Sequence, residues 1–207
     1  MSSAREDILA SVRKSIGNRA PEQQVIREYR QSGTLNEADK IDLFVNRLED
    51  YNAGVYRCQE ADLPATIADA LTARARTRIL IPVAFPAEYL PSGFEFLRDQ
   101  GFEYTALDAT DGALTAATAA IAMTGSIILT HSETEGRRAL TLIPDYHLCV
   151  VPTSQLVETV PEGIRALGAR RTSPVTTIAG PSATADIEMT RVKGVHGPRT
   201  LDVIIVG

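Results

Sequence analysis

The sequence predicts an α/β domain with a largely parallel sheet flanked by helices, preceded by an N-terminal helical arm. Three observations lead there. Short apolar segments of strand length alternate with segments of helical period along most of the chain. Arg78 to Val83 (RILIPV) is apolar at nearly every position, the pattern of a strand buried on both faces, as in a parallel sheet. The last stretch, Thr177 to Gly207, runs from a strand through Gly180-Pro181-Ser182 and a second turn at Gly194 to Pro198, and ends in a strand from Leu201 to Val206.

The elements follow in order. Ile8, Leu9, Val12 and Ile16 recur at helical spacing, which predicts a helix over Ser3 to Ile16 that stops at Gly17. Asn18 to Gly33 has little apolar periodicity and reads as a linker, so residues 1–35 form an arm and residues 36–207 the domain. Asn36 is a natural cap for a helix to Tyr51 whose inner face is Ile41, Phe44, Val45 and Leu48. A strand at Val55 to Arg57, a helix from Ala61 to Ala75 and the strand beginning at Arg78 come next. The pattern then predicts a helix at Phe94 to Gln100, a strand at Phe102 to Leu107 and an alanine-rich helix from Gly112 to Met123. Strands at Ser126 to Thr130, Leu140 to Ile143 and His147 to Pro152, a helix at Pro161 to Gly168 and a strand at Val175 to Ala179 lead into the final stretch. There Ser182 and Thr184 read as caps of a short helix running through Ile187.

Composition narrows the function. Of 207 residues, 44% are hydrophobic and 23% charged, which suits one globular core. A net charge of -5 without a basic run argues against a nucleic-acid partner, which requires clustered Lys and Arg to displace counterions. Cys58 and Cys149 are far apart and form no CxxC pair, and the three histidines lack HxxxH spacing, so neither a disulfide framework nor a metal site is expected. The N-terminus lacks the pattern of a signal peptide and no apolar run is long enough for a membrane span, so a cytoplasmic protein is expected.

A strand followed by a glycine turn and a helix start presents free N–H groups and a positive helix end to an anion. Gly180, Ser182, Thr184, Asp186 and Glu188 are therefore candidate ligand residues. The plainer alternative is a tight turn with acids that stabilise a helix start. His196 sits between two glycines, where a ligand can approach the backbone, although a turn histidine is often simply exposed. Thr124, Gly125 and Ser126 lie at a junction whose hydroxyls could hold a carboxylate or phosphate, or where Gly125 merely caps a helix. Arg137 and Arg138 can pair a small anion bidentately. Asp145, His147 and Cys149 share one face of a strand, but neighbours two apart begin about 6.6 Å apart, which favours a buried thiol beside a structural histidine over a catalytic dyad. No catalytic residue is assigned.

Ile121 to Leu129 (IAMTGSIIL), Arg137 to Val151 (RRALTLIPDYHLCVV) and the stretch from Ala179 to Gly207 together resemble the LUD-domain family, and Ser3 to Gly17 resembles that family's opening helix. The resemblance implies a fold similar to NagB, RpiA and CoA transferases. It further implies an accessory role in oxidising L-lactate to pyruvate, alongside iron–sulfur partner subunits. Members often carry an acidic residue before the Thr-Gly, where this chain has Met123. With no GxGxxG or Walker sequence and only two cysteines, this chain is expected to hold no redox cofactor itself, the iron–sulfur clusters residing on partners. An independent small-acid enzyme of CoA-transferase or nucleotide-dependent ligase type, or a ligand-sensing regulator, is the alternative within the same fold.

Overall fold

Runs of consecutive apolar residues can be satisfied only where both faces of a strand are covered, and the computed structural model, which describes residues 4–17, 28–185, 191–193 and 197–207, places them at the centre of one sheet. In chain order the strands are β1 (Gly54–Cys58), β2 (Arg78–Ile81), β3 (Glu95–Arg98), β4 (Gly112–Ala116), β5 (Ala119–Ile121), β6 (Ser126–Leu129), β7 (Tyr146–Pro152), β8 (Leu156–Val157), β9 (Thr176–Ala179), β10 (Ala183–Ala185), β11 (Arg191–Lys193) and β12 (Thr200–Val206). Six of them form the main sheet in the order β1-β12-β7-β4-β2-β3, with every pairing parallel. A smaller sheet, β8-β5-β6-β9, packs beside it, and β10 pairs with β11 as an antiparallel ribbon.

The helices are α1 (Ala4–Ile16), α2 (Glu37–Asp50), α3 (Leu63–Ala73), α4 (Tyr104–Asp108) and α5 (Val160–Ala166). Alternation along β7 and β12 separates the two faces of the main sheet. Cys149, Val151, Leu201, Val203 and Ile205 pack with Phe44 and Leu48 of α2, whereas Leu148, Val150, Ile204 and Val206 pack with Ile67 and Leu71 of α3. α2 begins where Asn36 Oδ1 accepts the Asp39 N–H at 2.9 Å. Phe44 and Leu48 are fully buried, and each contributes roughly 2–3 kcal/mol of apolar transfer.

Four expectations are corrected. Phe94 to Gln100 is not a helix: Glu95–Arg98 is edge strand β3, because Phe96 and Leu97 must face opposite layers of the core. Phe102 to Leu107 is not a strand but leads into the short helix α4. Gly112 to Met123 forms β4 and β5, since Ala113, Leu114, Ala119 and Ala120 are buried between layers and burial overrides the helical propensity of alanine. Leu140 to Ile143 lies in and just after a 3₁₀ turn over Arg138–Thr141 that inserts Leu140 into a core cluster with Leu80 and Ala113.

Residues 30–35 are fixed to the start of α5. Glu158 accepts the backbone N–H groups of Thr34 (2.5 Å) and Leu35 (2.7 Å) and pairs with Arg30, while Glu162 accepts from Gly33 at 2.9 Å. α1 buries none of its residues; Ile8, Val12 and Ile16 are exposed. Among the described residues no helix is long and apolar enough to cross a membrane.

Candidate functional site

The turn after β9 can form only because residue 180 is glycine. Gly180 has φ +78°, and a Cβ there would lie 2.5 Å from the Cβ of Tyr51. The chain then runs toward the start of β12, where the Ser182 N–H donates to the Pro198 carbonyl at 2.8 Å. This stitch gives one wall of a groove of about 220 Å³, built from Gly180 to Ser182 with Gly197 and Pro198. Residues Thr176 to Ala179 of strand β9 extend that wall. Arg138, Thr141, His147 and Leu201 complete the lining.

His147, on β7, is 1% exposed and belongs to a hydrogen-bonded row. Its Nε2 lies 2.8 Å from Thr115 Oγ1, Thr115 Oγ1 lies 3.9 Å from Cys149 Sγ, and the thiol reaches the Ala116 carbonyl at 3.8 Å. If Nε2 carries the imidazole proton, each group in the row donates to the next. Burial first, and the positive charge of Arg138 second, lower the His147 pKa to about 4. Burial pushes the Cys149 thiol up to about 12, against a small lowering by the Thr115 hydroxyl. At neutral pH both groups are uncharged, so the row does not form a thiolate–imidazolium pair.

A second hollow, of about 670 Å³, adjoins the groove and shares Arg138 with it. It lies beyond the ends of β2 and β3, with Pro82 to Ala84, Asp99, the loop from His131 to Arg137, and Pro174 around it. His131 adopts φ +57°. Its Nδ1 contacts the Gly136 carbonyl at 3.1 Å, so that nitrogen carries the proton, and Nε2 accepts from Thr176 Oγ1 at 2.9 Å. The loop is fixed from within by Glu135, 1% exposed, which accepts Thr130 N–H (2.7 Å) and Ser132 N–H (3.1 Å) and is bonded by Thr118.

The candidates named from sequence separate into groups. Arg138, Gly180 and Ser182 meet at the groove. Thr124 Oγ1 donates to Ser126 Oγ at 2.9 Å to one side of it; Ser126 is paired with Ala179, but neither hydroxyl is among the groove lining. Gly125 takes φ +63° as the cap of a 3₁₀ turn, with Arg47 so close that a Cβ would meet it at 2.7 Å. Arg137 lines the second hollow, but both arms grip Asp99, at 2.7 and 3.1 Å. Burial pulls Asp99 upward; Arg137 and the N–H groups of Gly101 and Phe102 outweigh it and hold the carboxyl below its usual range. Thr184 lies on β10, opposite Val192. The short helix expected to start at Ser182 is therefore corrected: residues 183–185 are extended and paired, so a helix dipole does not point at a ligand there. Asp186, Glu188 and His196 lie outside the described residues.

Sequence reasoning did not select Thr141, Thr176 or Thr177 as groove residues, nor His131, Glu133 and Asp99 at the second hollow. The polar run His131 to Glu135 was the available signal for that loop, because a conformationally special turn tends to carry such residues. Among the described residues there is no group of three or more His, Cys, Asp or Glu placed to hold a metal ion.

Residues 98–206 match the family model described as the LUD domain. A protein of Deinococcus radiodurans named Lactate utilization protein C is 42% identical over 207 residues, covering 99% of this chain and 96% of that protein. An uncharacterized protein of Neisseria meningitidis is 27% identical across 99% of this chain and 94% of its own length. A solved structure, a DUF162 family protein from Deinococcus radiodurans, superposes with a TM-score of 0.73 at 40% identity, covering 84% of this chain and 100% of that one.

Proposed function

As the chain belongs to the LUD-domain family, we propose that it works in lactate utilisation, as an accessory subunit of an L-lactate oxidation system whose electrons are carried by iron–sulfur partner proteins. The observation that carries this reading is the 42% identity, along nearly the whole of both chains, to a protein named Lactate utilization protein C. Two cysteines in 207 residues support placing the clusters elsewhere, since a cubane or two-iron cluster takes about four thiolates.

The groove supplies a place for the small acid. A three-carbon hydroxy acid has about six heavy atoms and needs no more than roughly 180 Å³ at a water molecule's ~30 Å³ each. That is within the groove's volume of about 220 Å³. Arg138 is exposed, and among the described residues no carboxylate pairs with it; its Nη1 reaches only Thr141 Oγ1, at 3.5 Å. Its guanidinium is the group to receive the substrate carboxylate. Thr141, beside Arg138, then offers its hydroxyl to the substrate's alcohol, and the neutral His147 adds no second cation to the lining.

Deleting the gene and growing the strain on L-lactate tests the role, together with recovery of the tagged chain and its copurifying proteins. Loss of growth on L-lactate alone, with iron–sulfur proteins recovered, is expected. Normal growth and no such partner would overturn the proposal.

A further inference from the structure

The two hollows differ threefold in volume, about 220 against 670 Å³, and the larger far exceeds what a three-carbon acid fills. Its position has a topological meaning. The chain passes from β2 outward to β3 and then returns to β4 on the other side of β2, so the winding direction reverses at β2 and β4. Pro82 to Ala84 directly follow β2, Asp99 directly follows β3, and the Ala116 N–H at the end of β4 donates to Thr134 in the loop that borders the hollow. In open parallel sheets the crevice outside the carboxyl ends of the strands, at such a reversal, is where ligands are bound. The groove lies instead beside the starts of β7 and β12.

The lining divides into three chemical parts. Pro82, Val83, Ala84 and Pro174 give apolar walls, and Val83 remains 58% exposed among them. Arg138 brings a cation that no described carboxylate neutralises, whereas Asp99 is already matched by Arg137 and does not repel an anion. Glu133 is an exposed carboxylate at the rim, paired with no cation among the described residues, while its carbonyl accepts the Ala84 N–H at 3.1 Å and so ties the rim to the wall. An apolar wall, a guanidinium able to pair a phosphate and a carboxylate able to accept from sugar hydroxyls match the base, phosphate and ribose of a nucleotide. The hollow, of about 670 Å³, is large enough for a mononucleotide of about 23 heavy atoms, since a bonded heavy atom takes less than a water molecule's ~30 Å³.

We infer that this hollow is a nucleotide-binding site: the ring lies against Pro82 to Ala84 and Pro174, the ribose hydroxyls meet Glu133, and the phosphate meets Arg138. This goes beyond the lactate role; among the described residues Arg138 is the one lining residue common to both hollows, and Val83 belongs to the larger alone.

Calorimetric titration of the full chain with AMP, with ribose 5-phosphate and, separately, with L-lactate tests the inference. AMP is expected to bind saturably, and ribose 5-phosphate at least about tenfold more weakly, a difference of about 1.4 kcal/mol. Val83→Trp, which fills the hollow from an exposed position, should weaken AMP at least about tenfold while leaving L-lactate binding and Tm unchanged. The inference is overturned if AMP binds no better than ribose 5-phosphate, if Val83→Trp leaves AMP binding intact, or if AMP shows no saturable binding up to about 1 mM. Failure of L-lactate to bind while AMP binds would count against the groove assignment instead.

Discussion

Two buried polar clusters lie on opposite faces of the same parallel sheet, and they handle charge in opposite ways. On the α3 face, Asp202 is fully buried and ionic: Arg74 grips it with Nε at 2.9 Å and Nη2 at 2.7 Å, and the Tyr146 hydroxyl donates to it at 3.0 Å. Gly54 leaves the room for this, since a Cβ there would lie 2.2 Å from Asp202 Oδ1. Burial, then the Asp202 charge, raise the Tyr146 pKa, so the phenol stays a donor. On the other face, His147, Thr115 and Cys149 are equally buried but neutral, and the nearest cation, Arg138, stands at the groove beside them. A charge is kept inside where its partners answer it, whereas Arg138, with no carboxylate partner among the described residues, stands exposed at the surface.

The largest expected effect falls on the ionic cluster. Arg74→Ala leaves Asp202 buried without its cation, a change that costs about 3–5 kcal/mol for a closed pair. Because the Arg74 side chain is 40% exposed, a loss toward the lower end, about 3 kcal/mol, is expected from urea unfolding. A loss below about 1 kcal/mol would mean that Asp202 finds solvent, and the contrast between the two faces would fail.

How much of this was legible in the sequence depended on where the signal resides. Strands β2, β7 and β12 were readable because a strand covered on both faces is apolar at most positions, and α2 because Asn36 and a four-residue stripe mark both its start and its inner face. Gly112 to Ile121 misled because alanine favours helices locally, while here small side chains let layers approach. At the groove, Gly180, Ser182 and Arg138 were found from their chemistry. The helix start expected beside them was not, because ribbon pairing of β10 with β11 is a non-local contact without a local cue. Thr141 and Thr176 come from segments 35 residues apart that only the fold brings together, as does the ionic cluster of Arg74 and Asp202.

The neutral cluster should appear in the pH dependence of stability. The folded pKa of His147, about 4, lies below the unfolded value near 6.5, so between these limits the unfolded chain binds the extra proton. Its contribution is complete above pH ~6.5 and is lost as pH falls toward 4, by up to roughly 3 kcal/mol. His147→Gln keeps a polar atom near Thr115 but does not titrate, so its stability should vary less over that window. Wild type and variant with equal slopes would show that His147 is protonated in place. Within the same row Cys149→Ala should cost about 1 kcal/mol, and the Cys149 thiol should resist alkylation until the chain unfolds.

The smallest effect on stability, and the most informative about function, is expected at two neighbours in sequence. Arg137 holds Asp99 with both arms and so belongs with Arg74, whereas Arg138 pairs with no carboxylate among the described residues. Arg138→Ala should therefore change unfolding free energy by no more than about 0.5 kcal/mol. It should nevertheless weaken L-lactate binding by about tenfold or more, the value of one charge-assisted hydrogen-bonded pair. Arg137→Ala should do the reverse, destabilising the chain by about 1–3 kcal/mol through the orphaned Asp99 carboxylate. It should leave L-lactate binding nearly intact at temperatures where the variant is folded. Calorimetry and urea unfolding on both variants read the four values directly. If both substitutions destabilise alike and neither alters binding, Arg138 is a second structural cation and the groove has lost its anion site.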